Sequence, residues 1–181
     1  MVFEIIKISM ENNFKQLLFK TAICCMACDG HIDPKEEEEL KRMGENVTYF
    51  SDLDLSSELT LFLNDLLNRG KKVIDDYFHE LKGTKLNTVQ ELLILEVALR
   101  IIHADEKIEE NELKFLRLLR GQLKVYDEII IDRFGRDNLL FEKADSENAG
   151  NPIDEFVNDI ELPKFNEFVD FKTYLGENDK G

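Results

Sequence analysis

The sequence predicts an all-α fold: a bundle of about seven helices in two similar halves, followed by an acidic and aromatic C-terminal tail. Three observations carry this expectation. Apolar residues recur at spacings of three and four through most of the first 135 residues, the period of a helix face. Breakers are sparse, with 9 glycines and 3 prolines in 181 residues, so long helices meet few interruptions. Two stretches, near residues 29 and 105, repeat one pattern of apolar helix, acidic turn and new helix. No alternating strand pattern occurs before about residue 140.

The elements follow in order. From Asn12 to Cys28 the residues Phe14, Leu17, Leu18, Ala22 and Cys25 form one stripe, which stops at Asp29-Gly30, where glycine suits a left-handed helix end. Asp33 is a good N-cap, Pro34 fits the first helical position and Glu36 sits three residues past the cap, so a second helix runs through Leu40 and Met43 to about Glu45. A third spans Ser51 to Asn68, with Ser56 or Ser57 as cap and Gly70 as stop. Lys71 to Leu81 carries Val73, Ile74, Tyr77, Phe78 and Leu81, and Gly83 follows. Thr88 to Ala104 is apolar on nearly all sides, as a central buried helix would be. Glu109 to Leu123 is amphipathic, and Tyr126 to Phe134 is a short helix or final turn. Lys143 to Pro152 is polar and has linker composition, and the tail beyond it carries Phe156, Phe165, Phe168, Phe171 and Tyr174 among acids. The chain therefore divides into a helical domain, residues 1–142, and a linker with docking tail, residues 143–181.

Charge bounds the function. With 38 acidic and 23 basic residues the formal net charge is −15, which repels nucleic acid and anionic membranes and attracts cations and basic protein surfaces. Arg69-Gly70-Lys71-Lys72 is too short a basic run to bind nucleic acid. Met1 to Met10 has no secretory pattern, and no run approaches the roughly 18–20 apolar residues of a membrane span. The 3 cysteines are odd in number and clustered, so no disulfide framework is expected. A cytoplasmic protein that engages neither membrane nor nucleic acid is the expectation.

In the repeat, Asp29 corresponds to Asp105, Ile32 to Ile108, Asp33 to Glu109, Glu36 to Glu112 and Leu40 to Leu116. If the two halves pack about a pseudo-twofold axis, the turns approach each other. The first carboxylate then stands at a helix end, the second at a cap and the third one turn in, where positions three apart share a face. Such carboxylates, with turn carbonyls, supply the hard oxygens that calcium or a more hydrated magnesium takes. The plainer reading is two capping boxes whose acids complement the helix dipole. Neither turn has the alternating oxygen ligands, central glycine and final glutamate of an EF-hand loop.

These residues also carry a resemblance. Ala27-Cys28-Asp29-Gly30-His31-Ile32 with Glu36, and His103-Ala104-Asp105-Glu106-Lys107-Ile108 with Glu112, resemble the paired A-D-G-x-[IV]-x-x-x-E signatures of the tellurite-resistance TerB-like family, whose fold also occurs in membrane-anchored DjlA co-chaperones. The resemblance covers about residues 10 to 135. It implies a two-halved bundle of about seven helices acting as an interaction module in stress- or phage-related systems. It further implies divalent-metal binding at Asp29, Asp33 and Glu36, and at Asp105, Glu109 and Glu112. Glu106 departs from the pattern, because the family prefers glycine there.

Other sites are weaker. Cys25-x-x-Cys28 with His31 has metal-like spacing but supplies at most three of four zinc ligands, so His79 or His103 would have to complete the set. On a helix, Cys24, Cys25 and Cys28 serve as small buried hydrophobes, and zinc is not the expected ion. No nucleophile–base pair, phosphate loop or dinucleotide motif is present, so no enzyme is expected. A protein partner, basic in character, is. The alternative function from charge and size is an antitoxin-like immunity protein that neutralises a basic toxin such as a nuclease.

Overall fold

A computed structural model describes residues 1–45, 49–50, 52–141 and 150–176, and among these the chain is all-helical. The helices are α1 (Val2–Ala27), α2 (Pro34–Glu45), α3 (Leu55–Arg69), α4 (Lys72–Gly83), α5 (Thr88–Ile102), α6 (Glu110–Gln122), α7 (Asp127–Phe134), α8 (Asn138–Phe141), α9 (Pro152–Asp159) and α10 (Phe165–Gly176). Residues 142–149, most of the expected linker, lie outside the described residues. Pro152 belongs to α9 rather than to the linker, placed at the start of that helix with Asn151 capping the Ile153 N–H at 3.1 Å.

Two helices form the centre. α1 packs on α5, α2 packs on α5, and α6 packs on both α5 and α1. The facing stripes are Leu18, Ala22 and Cys25 on α1, and Ile94, Val97, Ala98 and Ile101 on α5, all buried. α1 begins ten residues before the expected start at Asn12, because its first turns are apolar on several faces and show no single stripe. α3 is capped by Asp54, whose Oδ1 accepts the Ser57 N–H at 3.1 Å, rather than by a serine. α5 opens on an Asn87–Gln90 capping box, with reciprocal bonds of 2.9 and 3.0 Å.

Buried polar groups are matched to partners. The hydroxyls of Thr21 and Tyr77 bond each other at 2.8 Å, and Thr21 also donates to the Leu17 carbonyl at 2.9 Å. The buried Glu91 carboxylate accepts the N–H groups of Lys124 and Val125 at 2.9 and 2.6 Å, holding the chain as it leaves α6.

The C-terminal helices join the same core. Phe156 of α9 meets Phe78 and Phe115 with ring centroids at 6.5 and 6.4 Å, and Phe168 of α10 meets Phe62 at 6.4 Å. Phe156, Ile160, Phe168 and Phe171 are all buried. Among the described residues no helix is long and apolar enough to cross a membrane.

Candidate functional site

The site is built from the two acidic turns. The first joins α1 to α2. Gly30 reverses the chain at φ +93°, a left-handed value that costs glycine nothing. Asp33 Oδ1 accepts the Lys35 N–H at 2.7 Å, and Glu36 reaches back to the Asp33 N–H at 3.2 Å. The second turn joins α5 to α6, with Glu112 accepting the Glu109 N–H at 2.7 Å. Glu106, which stands where the first turn has Gly30, does not adopt a positive φ. The second turn therefore reverses with a different backbone path, which a side chain tolerates.

α2 and α6 both pack on α5, and α6 also on α1, so the first turns of α2 and α6 come together. Glu36 and Glu112 meet there in a side-chain hydrogen bond, although they are 2% and 4% exposed. Two carboxylates bond in this way by sharing a proton. Burial, reinforced by the charges of Glu112 and Asp29 and by the bond to Glu112, and opposed by the Asp33 N–H, pushes Glu36 up to about 10, so the pair keeps one proton between its oxygens at neutral pH. Glu112 is raised as well, chiefly by burial and then by the charges of Asp29 and Glu109. Asp29 completes the inner group. Burial raises it, while the backbone N–H and the ring of His31 draw it down, at 3.1 Å to Oδ1 and 3.3 Å to Oδ2.

The other predicted residues stand further out. Asp33 caps α2. Asp105 pairs with Lys35 of the opposite turn at 3.6 Å; against a burial penalty, the N–H groups of Lys107 and Glu106 and the Lys35 ammonium hold it below its usual value. Glu109 pairs with Lys107. Of the six carboxylates, Glu36 and Glu112 meet, Asp29 and Glu109 lie within electrostatic reach of them, Asp33 and Glu109 cap α2 and α6, and Asp105 is drawn to Lys35. Among the described residues, no three His, Cys, Asp or Glu side chains are grouped to ligate one ion as they stand.

Two residues escaped the sequence reading. Lys35 ties one turn to the other through Asp105, and nothing in its neighbourhood sets it apart from the charged residues beside it. Glu167 of α10 accepts the Ile32 N–H at 3.3 Å, so the tail reaches the first turn. The cysteines are core residues. Cys25 and Cys28 are buried, the Cys28 thiol donates to the Cys25 carbonyl at 3.0 Å, and burial raises both thiols well above their ordinary range. His31 turns instead to Asp29, His79 to the Asp75 carbonyl at 3.0 Å and His103 to Asp137 at 3.7 Å.

The proton on Glu36 sets a pH dependence. Its folded pKa lies above the ordinary carboxyl value of 4.5, so the folded state binds the proton more tightly than the unfolded state. The resulting stability is full below the ordinary value and is lost as pH rises toward the folded one. Between pH 6 and 9 stability is expected to fall by up to about 1.4 kcal/mol per pH unit for one proton. Glu36→Gln, which keeps a neutral donor to Glu112, should flatten that slope in urea titrations across the range.

No protein-family model, curated protein or solved structure matches this chain.

Proposed function

We propose that the chain is a non-enzymatic, TerB-like binding module in which two pseudo-repeated helix–turn–helix halves join their acidic turns to hold a divalent cation, with the outer acids offered to a basic protein partner. The reading rests on one observation: buried carboxylates from two distant turns, Glu36 and Glu112, meet side chain to side chain. Burying two such groups together is costly unless a positive charge, a proton or a cation, lies between them.

The donor set suits a particular ion. Glu36, Glu112 and Asp29 offer hard oxygens, whereas the nearby thiols are engaged in the core. Carboxylate oxygens of this kind suit calcium, or a magnesium ion that keeps several of its waters. Bound there, the ion would supply charge neutralisation and fix the two turns against each other. Around it, Asp105, Glu106 and Glu110 remain partly or fully exposed for a partner. A place in a stress- or defence-related system is what the TerB resemblance adds to this reading.

The test is thermal melting at pH 8 in chelator, then with magnesium, calcium, manganese or zinc. A bound ion raises stability by mass action, about 2.7 kcal/mol at a hundredfold excess over Kd. Magnesium or calcium should raise the melting temperature of the native chain, and Glu36→Gln or Asp29→Asn should abolish the rise. An unchanged melting temperature at millimolar metal, or a rise that both substitutions leave intact, removes the cation from the proposal.

A further inference from the structure

A second surface lies away from the turns, none of whose acids line it: a groove of about 260 Å³ between α1, α3 and α4. Each helix contributes a stripe at helical spacing. On α3 it runs from Glu58 through Leu61, Phe62 and Asp65 to Arg69; on α1 from Gln16 through Lys20 to Cys24; on α4 from Val73 through Tyr77 to Glu80. The floor is apolar and the rim is charged. Phe62, Val73 and Tyr77 are buried in the floor, whereas Leu61, at the lip, is 61% exposed.

The rim is acidic in balance. Glu58, Asp65, Asp76 and Glu80 face only two cations, Lys20 and Arg69. Lys20 is held by Glu80 at 2.7 Å, and Arg69 by Asp76 and by Asp65 at 3.2 Å. Glu58 accepts the Gln16 amide at 3.0 Å. The rim thus already exchanges ion pairs across the groove and carries surplus negative charge.

We infer that this groove is a docking site for a cationic amphipathic helix of a basic partner protein, with an aliphatic anchor beside Leu61 and lysines or arginines on the acidic rim. Three observations favour this occupant. The α3 stripe spans twelve residues, roughly 17 Å, which matches about three turns of an incoming helix. An exposed leucine over an apolar floor within a charged ring has the form of an anchor surrounded by steering contacts. A second copy of a chain with net charge −15 is repelled, whereas a basic helix is drawn in.

The experiment uses the full chain in chelator, so that its outcome is independent of any ion at the turns. The probe is a fluorescein-labelled helical peptide of about twelve residues, ~18 Å long, with leucines on one face and lysines on the other. A scrambled peptide of the same composition is the control. Anisotropy should show saturable binding of the amphipathic peptide, and amide shifts should cluster at residues 58–65 and 73–80. Leu61→Asp, at an exposed position that does not threaten folding, should weaken binding by at least about tenfold. Asp65→Lys should weaken it as well, whereas Glu128→Lys on the exposed surface of α7, outside the groove, should change it by less than about twofold. Absence of saturable binding at millimolar peptide overturns the inference. So does equal binding of the scrambled peptide, an equal response to Leu61→Asp and Glu128→Lys, or shifts centred on the acidic turns.

Discussion

Removal of residues 143–181 is expected to destabilise the rest of the chain by about 4 kcal/mol or more, the largest single effect foreseen for this molecule. The tail buries Phe156, Ile160, Phe168 and Phe171 in the common core. Full burial of a large apolar side chain contributes about 1.5–3 kcal/mol each, and ordering the two helices offsets part of that sum. Truncation also uncovers the faces of Phe62, Phe78 and Phe115 that these rings cover. Urea titration of the truncated chain should give a lower midpoint and a smaller m value, because less surface is buried in the folded state. A midpoint equal to that of the full chain would show that the core is complete without the tail, and would return the tail to the role of a segment kept for another molecule.

Phe115→Ala is expected to cost about 3–5 kcal/mol, the range for emptying a well-packed aromatic site. Phe115 is fully buried at the meeting point of α4, α6 and α9. Its ring stacks on Tyr77 at 6.0 Å and lies 5.4 Å from Phe78 and 6.4 Å from Phe156. Three neighbouring rings leave little freedom for collapse into the vacated space, which places the cost toward the upper end. Combined with Phe156→Ala, the two losses should fall short of additivity by about 0.5–1.5 kcal/mol, the worth of an aromatic pair. Strict additivity would mean that the tail packs against the aromatic cluster without energetic coupling to it.

Local chemistry was legible in the sequence; convergence was not. The turn at Gly30, the start at Pro34, the stop at Gly70 and the solidly apolar α5 each follow from one residue type or one period, and each stands where the structure has it. The cap of α3 is ambiguous in the sequence because Asp54, Ser56 and Ser57 are all competent side-chain oxygens, and only the backbone path selects Asp54. α9 and α10 are hard to read from the sequence because their apolar residues are thinly spaced among acids, and their burial depends on a surface that the rest of the fold provides. The repeat showed that two turns are alike. That Glu36 and Glu112 touch, while Asp33 and Asp105 stay further out, depends on how α2 and α6 pack on the central helices. A one-dimensional pattern does not hold that packing, and sequence spacing groups six carboxylates where the fold brings two of them into contact.

The tie from Ile32 to Glu167 joins positions 135 residues apart, and Lys41 likewise donates to the Tyr174 carbonyl at a separation of 133. During translation the first hairpin leaves the ribosome well before the segment that closes over it has been made. At about 5–20 residues per second the delay is roughly 7–27 s. For that interval the first turn lacks its tie to the tail, and the α3 face around Phe62 that Phe168 comes to cover stands open to solvent.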